Sequence, residues 1–150
     1  MSHGRLQIRN AFRTALLSST DAGTNIFLMR TFPVQASLTR AILIYTTNES
    51  SSLATVGSLG AAQSYRRDLM VNVDGYVKAN ASIEDDLDQL ALQIEEAIES
   101  DTALRALVEE YQLTSTEMQT EENETAVGMV RLSYNVVYRT RPESPDVIIP

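Results

Sequence analysis

At 150 residues the chain suits one domain, large enough to withdraw about two-thirds of its unfolded surface from water without disulfides or metals. Cysteine is absent and the single histidine, His3, sits in a terminus expected to fray, which removes disulfide, thiolate and zinc-finger chemistry and argues against a histidine-based catalytic or metal site. The net charge of −8 divides into eight basic against four acidic groups over residues 1–80 (+4), and fourteen acidic groups against Arg105 alone over residues 81–124 (−13). Such asymmetry favours oppositely charged surfaces meeting, within the fold or between copies, over a basic footprint on nucleic acid.

The first predicted element is a helix over residues 6–17, in which Ile8, Ala11, Phe12, Ala15 and Leu16 form one apolar stripe. Arg5, Arg9 and Arg13 repeat every fourth residue and line a ridge, either solvated or internally paired, or else a docking ridge for an acidic partner. No apolar run approaches the roughly 18 residues that cross a bilayer, and these arginines interrupt any signal-peptide core, so a soluble, unexported chain with no membrane partner is expected. Residues 18–23 end the helix through turn chemistry and a glycine exit. A short strand over 25–30 is broken off by Pro33. A better strand covers 38–47, where residues 41–45 are apolar on both parities and read as a central strand buried on both faces. Residues 48–63, small and polar with two glycines, read as a long loop, either disordered or ordered by a partner. Its Ser51, Leu53, Val56 and Leu59 are candidate contacts with such a partner.

A long strand follows over 64–79, with Tyr65, Arg67, Leu69, Val71 and Val73 on one parity. Asp74-Gly75 interrupts it and reads as a glycine bulge, because no partner strand follows closely enough for a hairpin. The second helix, 82–100, opens on Ser82 and Asp85 as a capping box, with Glu84, Asp85 and Asp86 where the helix N-terminus favours negative charge. Ile83, Leu87, Leu90, Ala91, Ile94 and Ile98 mark its buried stripe; Asp88, Glu95, Glu96 and Glu99 lie elsewhere on its circumference. Paired carboxylates can do acid–base work, but no pocket is evident around these, and their spacing matches neither a calcium loop nor a Glu-x-x-His motif. No catalytic, cofactor or metal residue is assigned. Residues 100–102 cap a further short helix through Ala103, Leu104, Leu107 and Val108.

Residues 111–120 and 127–139 form a hairpin around the acidic run 121–124. In its second arm Val130, Leu132, Tyr134, Val136 and Tyr138 alternate with Arg131, Ser133, Asn135 and Arg139, the pattern of a strand with one buried face. Beyond Arg141 two prolines forbid a helix, and Val147, Ile148 and Ile149 are unusual in a free tail. Residues 142–150 therefore read as an extended arm, either unanchored or laid on another subunit. The fold class expected is α+β: a mostly antiparallel sheet of four to five strands covered by two main helices and a short one, within a single domain over 1–141.

No P-loop, dinucleotide-binding glycine pattern, nucleophile elbow or zinc spacing occurs. The order of elements, however, resembles the tail terminators of long-tailed phages, the minor tail protein U family. The resemblance rests on R-A-I-L-I-Y-T-T-N-E at 40–49, D-L-M-V-N-V-D-G-Y at 68–76, L-D-Q-L-A-L-Q-I-E-E-A-I at 87–98 and G-M-V-R-L-S-Y-N-V-V-Y at 128–138. It implies a virion structural protein without enzymatic activity or cofactor. It further implies a homo-oligomeric ring, usually a hexamer, that caps the head-proximal end of the tail tube, stops its polymerisation and meets the head connector, with genomic DNA passing through unrecognised. Three other readings stay open at this point: a neck or head–tail connector protein, a small-molecule-binding regulatory domain, and an enzyme.

Overall fold

A computed structural model describes residues 2–30, 39–55, 63–79, 82–121 and 126–149. Helix α1 (Gly4–Leu16) forms where the apolar stripe requires it and turns Ile8, Phe12, Ala15 and Leu16 inward. A two-residue strand, β1 (Ile26–Phe27), lies parallel to β2 (Arg40–Thr55), which folds back antiparallel on β3 (Gln63–Ala79). Helices α2 (Ile83–Glu99) and α3 (Thr102–Leu107) follow, then the hairpin of β4 (Glu110–Glu121) and β5 (Ala126–Arg141), and finally β6 (Ser144–Ile149). Across the sheet the order is β1-β2-β3-β5-β4. Since β3 occupies one edge of β5 as far as Thr140, β6 takes the other edge beyond the start of β4.

The α+β class is as expected, but the sheet is mixed and six-stranded rather than mostly antiparallel with four to five strands. Two short pieces account for the difference. β1 aligns Ile26 with Ile42 and Phe27 with Leu43, and this parallel pairing is anchored by Ile42 N–H donating to the Asn25 carbonyl at 2.9 Å. β6 forms because Pro142 and Glu143 occupy the corner of a tight turn, where proline supplies a φ the turn needs, while Pro145 enters an edge strand at a position that tolerates a missing N–H.

Three local expectations are also corrected. β2 is next to the sheet edge, and β3 and β5 are central, although Ala41 to Tyr45 are indeed buried on both parities. Residues 48–55 are not loop: they continue β2, in register from Glu49 opposite Leu69 to Thr55 opposite Gln63. This part of the hairpin carries few apolar side chains because Ser51, Ser52 and Leu53 are exposed. Asp74-Gly75 is not a bulge either, since pairing to both neighbouring strands is continuous there.

The glycine serves packing instead. A Cβ on Gly75 would lie 2.8 Å from Leu90, and one on Gly128 would lie 2.7 Å from Leu87, so α2 sits on the sheet where side chains are missing. Ser82 begins α2 in a left-handed conformation (φ 59°) without a side-chain cap, so the capping box is absent. Asp101 does cap α3, accepting from Leu104 N–H at 2.7 Å. The three helices bury one face of the sheet around Phe12, whose ring meets Tyr134 edge-on at 5.7 Å and Tyr111 at 6.4 Å.

Candidate assembly surfaces

Under the start of α1, one carboxylate gathers three parts of the chain. Glu49 on β2 accepts from Arg5 Nη1 at 2.8 Å, from Arg67 Nη1 at 3.1 Å and from the Tyr138 hydroxyl. Arg67 also donates to Thr140 Oγ1 at 2.9 Å, which explains an arginine on the core-facing parity of β3. Burial, then the bond to Glu49, pushes the Tyr138 hydroxyl above its ordinary range. His3 Nδ1 caps α1 by accepting from Arg5 N–H at 3.1 Å, and burial followed by the charges of Arg5 and Arg67 lowers its pKa. The arm docks here too: Gln7 Nε2 donates to the Asp146 carbonyl at 2.7 Å, and Gly4 leaves no room for a Cβ against Tyr138 and Ile148.

The opposite face of the sheet holds a second ionic site. Asp74, 1% exposed, receives Arg131 Nε at 2.9 Å and Nη2 at 3.0 Å, a two-pronged pairing, together with the Tyr45 hydroxyl at 2.9 Å. Arg131 and Arg30 both lie over the Tyr45 ring, 5.9 and 5.5 Å from its centre. Neither Glu49 nor Asp74 is singled out by sequence pattern. Their one signal is an acid within a strand, with arginines on the strands that pair beside it.

Charge at the two sides of the molecule is opposite. Arg5, Arg9 and Arg13 lie on the flank of α1 that faces β1 and β2, half-buried rather than on an exposed ridge. Arg5 is bound to Glu49 and Arg13 Nε donates to the Ile26 carbonyl at 3.1 Å, whereas the buried Arg9 Nε has no partner. Arg30 reaches the Thr46 carbonyl at 2.6 Å. Among the described residues, Arg9, Arg13 and Arg30 form no ion pair, and Glu49 is shared by Arg5 and Arg67. A cleft of about 280 Å³, lined by Arg5, Arg30, Thr46, Asn48 and Glu49, opens beside them, where an extra residue between Thr46 and Glu49 breaks the β2 register.

On α2, Gln93 contacts the Asp21 N–H at 2.8 Å and Asp86 meets Arg40 at 3.4 Å, which fixes the side turned toward α1 and β2. By helical periodicity Glu84, Asp88, Glu95 and Glu99 fall on the other side, toward β4. Tyr111 at the start of β4 donates to the Ile98 carbonyl there at 2.7 Å, and burial, then Glu95 and Glu99, pushes the Tyr134 hydroxyl above its ordinary range. β4 adds Glu110 and Glu117, both exposed and only 4.0 and 3.9 Å from Arg66 and Arg131. An exposed apolar residue sits in each surface: Met29 (42%) beside Arg30, and Leu92 (48%) between Asp88 and Glu95.

The structure therefore brings Arg5, Arg9 and Arg13 to the β2 side and leaves Ser51 and Leu53 exposed on β2, opposite Arg67 and Tyr65 of β3. Val147, Ile148 and Ile149 belong to β6 on their own chain's β5, with Ile148 packed against the core. Val56 and Leu59 lie outside the described residues. No helix among the described residues is long and apolar enough to cross a membrane.

Fold and flanks define the class first: an α+β domain whose β2 side and α2–β4 side differ in charge. A family model described as phage minor tail protein U matches residues 3–138, and the chain belongs to that family. It is thus a phage tail structural protein and a part of the virion. The matched span ends within β5, so β6 lies beyond it. No curated protein matches the chain.

Proposed function

We propose that this chain is a tail terminator: copies form a closed ring on the head-proximal end of the finished tail tube, stop its growth and offer the opposite surface to the head connector. The observation that carries the reading, beyond family membership, is the separation of charge between the β2 side and the α2–β4 side of one sheet. A ring needs two different, complementary surfaces on each copy, and like surfaces would instead favour a two-fold dimer. The chain performs no chemistry in this role. Its partners are further copies of itself, the tail tube protein and the connector, while DNA passes the ring without being bound.

Electron microscopy of particles made without this chain tests the role. Tubes of uncontrolled length, restored to one length by adding the protein, are expected. Tubes of normal length that fail to join heads would make it a connector instead.

A further inference from the structure

We infer that the cleft side of one copy, centred on Arg9, Arg30 and Met29, receives the α2 flank of the next copy, centred on Asp88, Glu95 and Leu92. This rests on the self-association in the reading above and adds which surfaces meet. Three independent observations converge on the pairing.

The first is an unsatisfied cation. Among the described residues Arg9 meets no carboxylate, and Arg13 and Arg30 meet only backbone carbonyls, so this side carries positive charge that its own chain leaves unpaired. Unpaired charge of one sign favours an incoming surface of the other. The second is the matching surplus: among the described residues Glu84, Asp88 and Glu95 form no ion pair. Asp88 and Glu95 flank Leu92 on one side of α2, four residues before it and three after it.

The third is composition. Each surface sets one large exposed apolar side chain, Met29 or Leu92, among charges, as interface centres ringed by polar groups do. The occupant is a second copy rather than nucleic acid because the complement required, three carboxylates with an apolar centre on a regular helix, is present on this chain.

Two charge-reversed proteins test the pairing: one carrying Arg9→Glu and Arg30→Glu, the other Asp88→Arg and Glu95→Arg. None of these four side chains makes an ion pair among the described residues, and thermal melting verifies that both proteins are folded. Sedimentation across a concentration series is expected to show association weakened at least about tenfold for each alone, as for like charges brought together. An equimolar mixture should regain wild-type assembly, since each reversed side then meets its complement. If either reversal fails to fold, Met29→Asp and Leu92→Asp replace the pair and should each weaken assembly.

Wild-type assembly by either folded reversal alone overturns the pairing while leaving the ring intact. So does failure of the mixture to recover. Duplex DNA binding that the first reversal abolishes without altering assembly reassigns the cleft to nucleic acid. A wild-type chain that stays monomeric at every concentration, and on tail tubes, overturns ring and pairing together.

Discussion

Asp74 and Arg131 are partners with unequal consequences. Asp74 is almost fully buried, whereas the Arg131 side chain is 31% exposed and also lies 3.9 Å from Glu117. Arg131→Met should therefore strand a carboxylate inside the sheet at a cost of about 3–5 kcal/mol, while Asp74→Asn should cost only about 1–3 kcal/mol, because the arginine can turn to Glu117 and water. Urea denaturation of the two variants decides this, and equal losses would show that the buried carboxylate is not the controlling member. At this scale little of either ionic site can be read from sequence. The alternation in β5 identifies Arg131 as facing away from the helices, yet Asp74 next to a glycine carries a stronger turn signal than ion-pair signal. Only the pairing of Asp74 with Arg131 across β3 and β5 removes the ambiguity. Glu49 is hidden for the same reason, since Arg5, Arg67 and Tyr138 reach it from 44, 18 and 89 residues away.

Elements long enough to show their period are legible: α1, β3, α2, β4 and β5 all form within a few residues of where the apolar spacing puts them. β1 is a two-residue remnant of the strand expected over 25–30, β6 is too short for a period, and residues 50–53 of β2 lack one because all four are exposed, although Glu49 beside them is covered by α1. β6 gains its order from outside itself, through the β5 edge, Gly4 and Gln7. Hydrogen exchange on the isolated monomer should accordingly find one of the adjacent Ile148 and Ile149 amides protected, the one that faces β5. Truncation after Arg141 should leave the domain folded, speed exchange in the first turn of α1 and lower the melting temperature. Rapid exchange throughout residues 144–149 in the monomer would mean that β6 is ordered only by contact with another chain.

For the molecule as a whole, charge is the property that sequence conveys best in sum and least in arrangement. The −13 segment is evident from composition, but which of its described carboxylates fall on the α2 flank and β4, away from β2, appears only when the sheet order is known. With a net charge of −8, the protein is expected to bind duplex DNA negligibly even in low salt, as the proposed ring, with DNA passing through it, requires. Filter binding or fluorescence anisotropy at low ionic strength checks this, and appreciable affinity would contradict the proposal that DNA passes the ring unbound.

The missing side chains at Gly75 and Gly128 have a consequence for the geometry of any assembly. They let Leu90 and Leu87 seat α2 directly on β3 and β5, so that any slide or tilt of the helix over the sheet would open this close fit. The angle between one copy's cleft side and its α2 flank is therefore a fixed dimension of the subunit. In a head-to-tail arrangement that angle is repeated at every step, and its errors accumulate around the circuit. A helix lifted by even a small displacement would leave each pairwise contact almost as strong as before, yet the last copy would miss the first, and the same surfaces would propagate an open spiral.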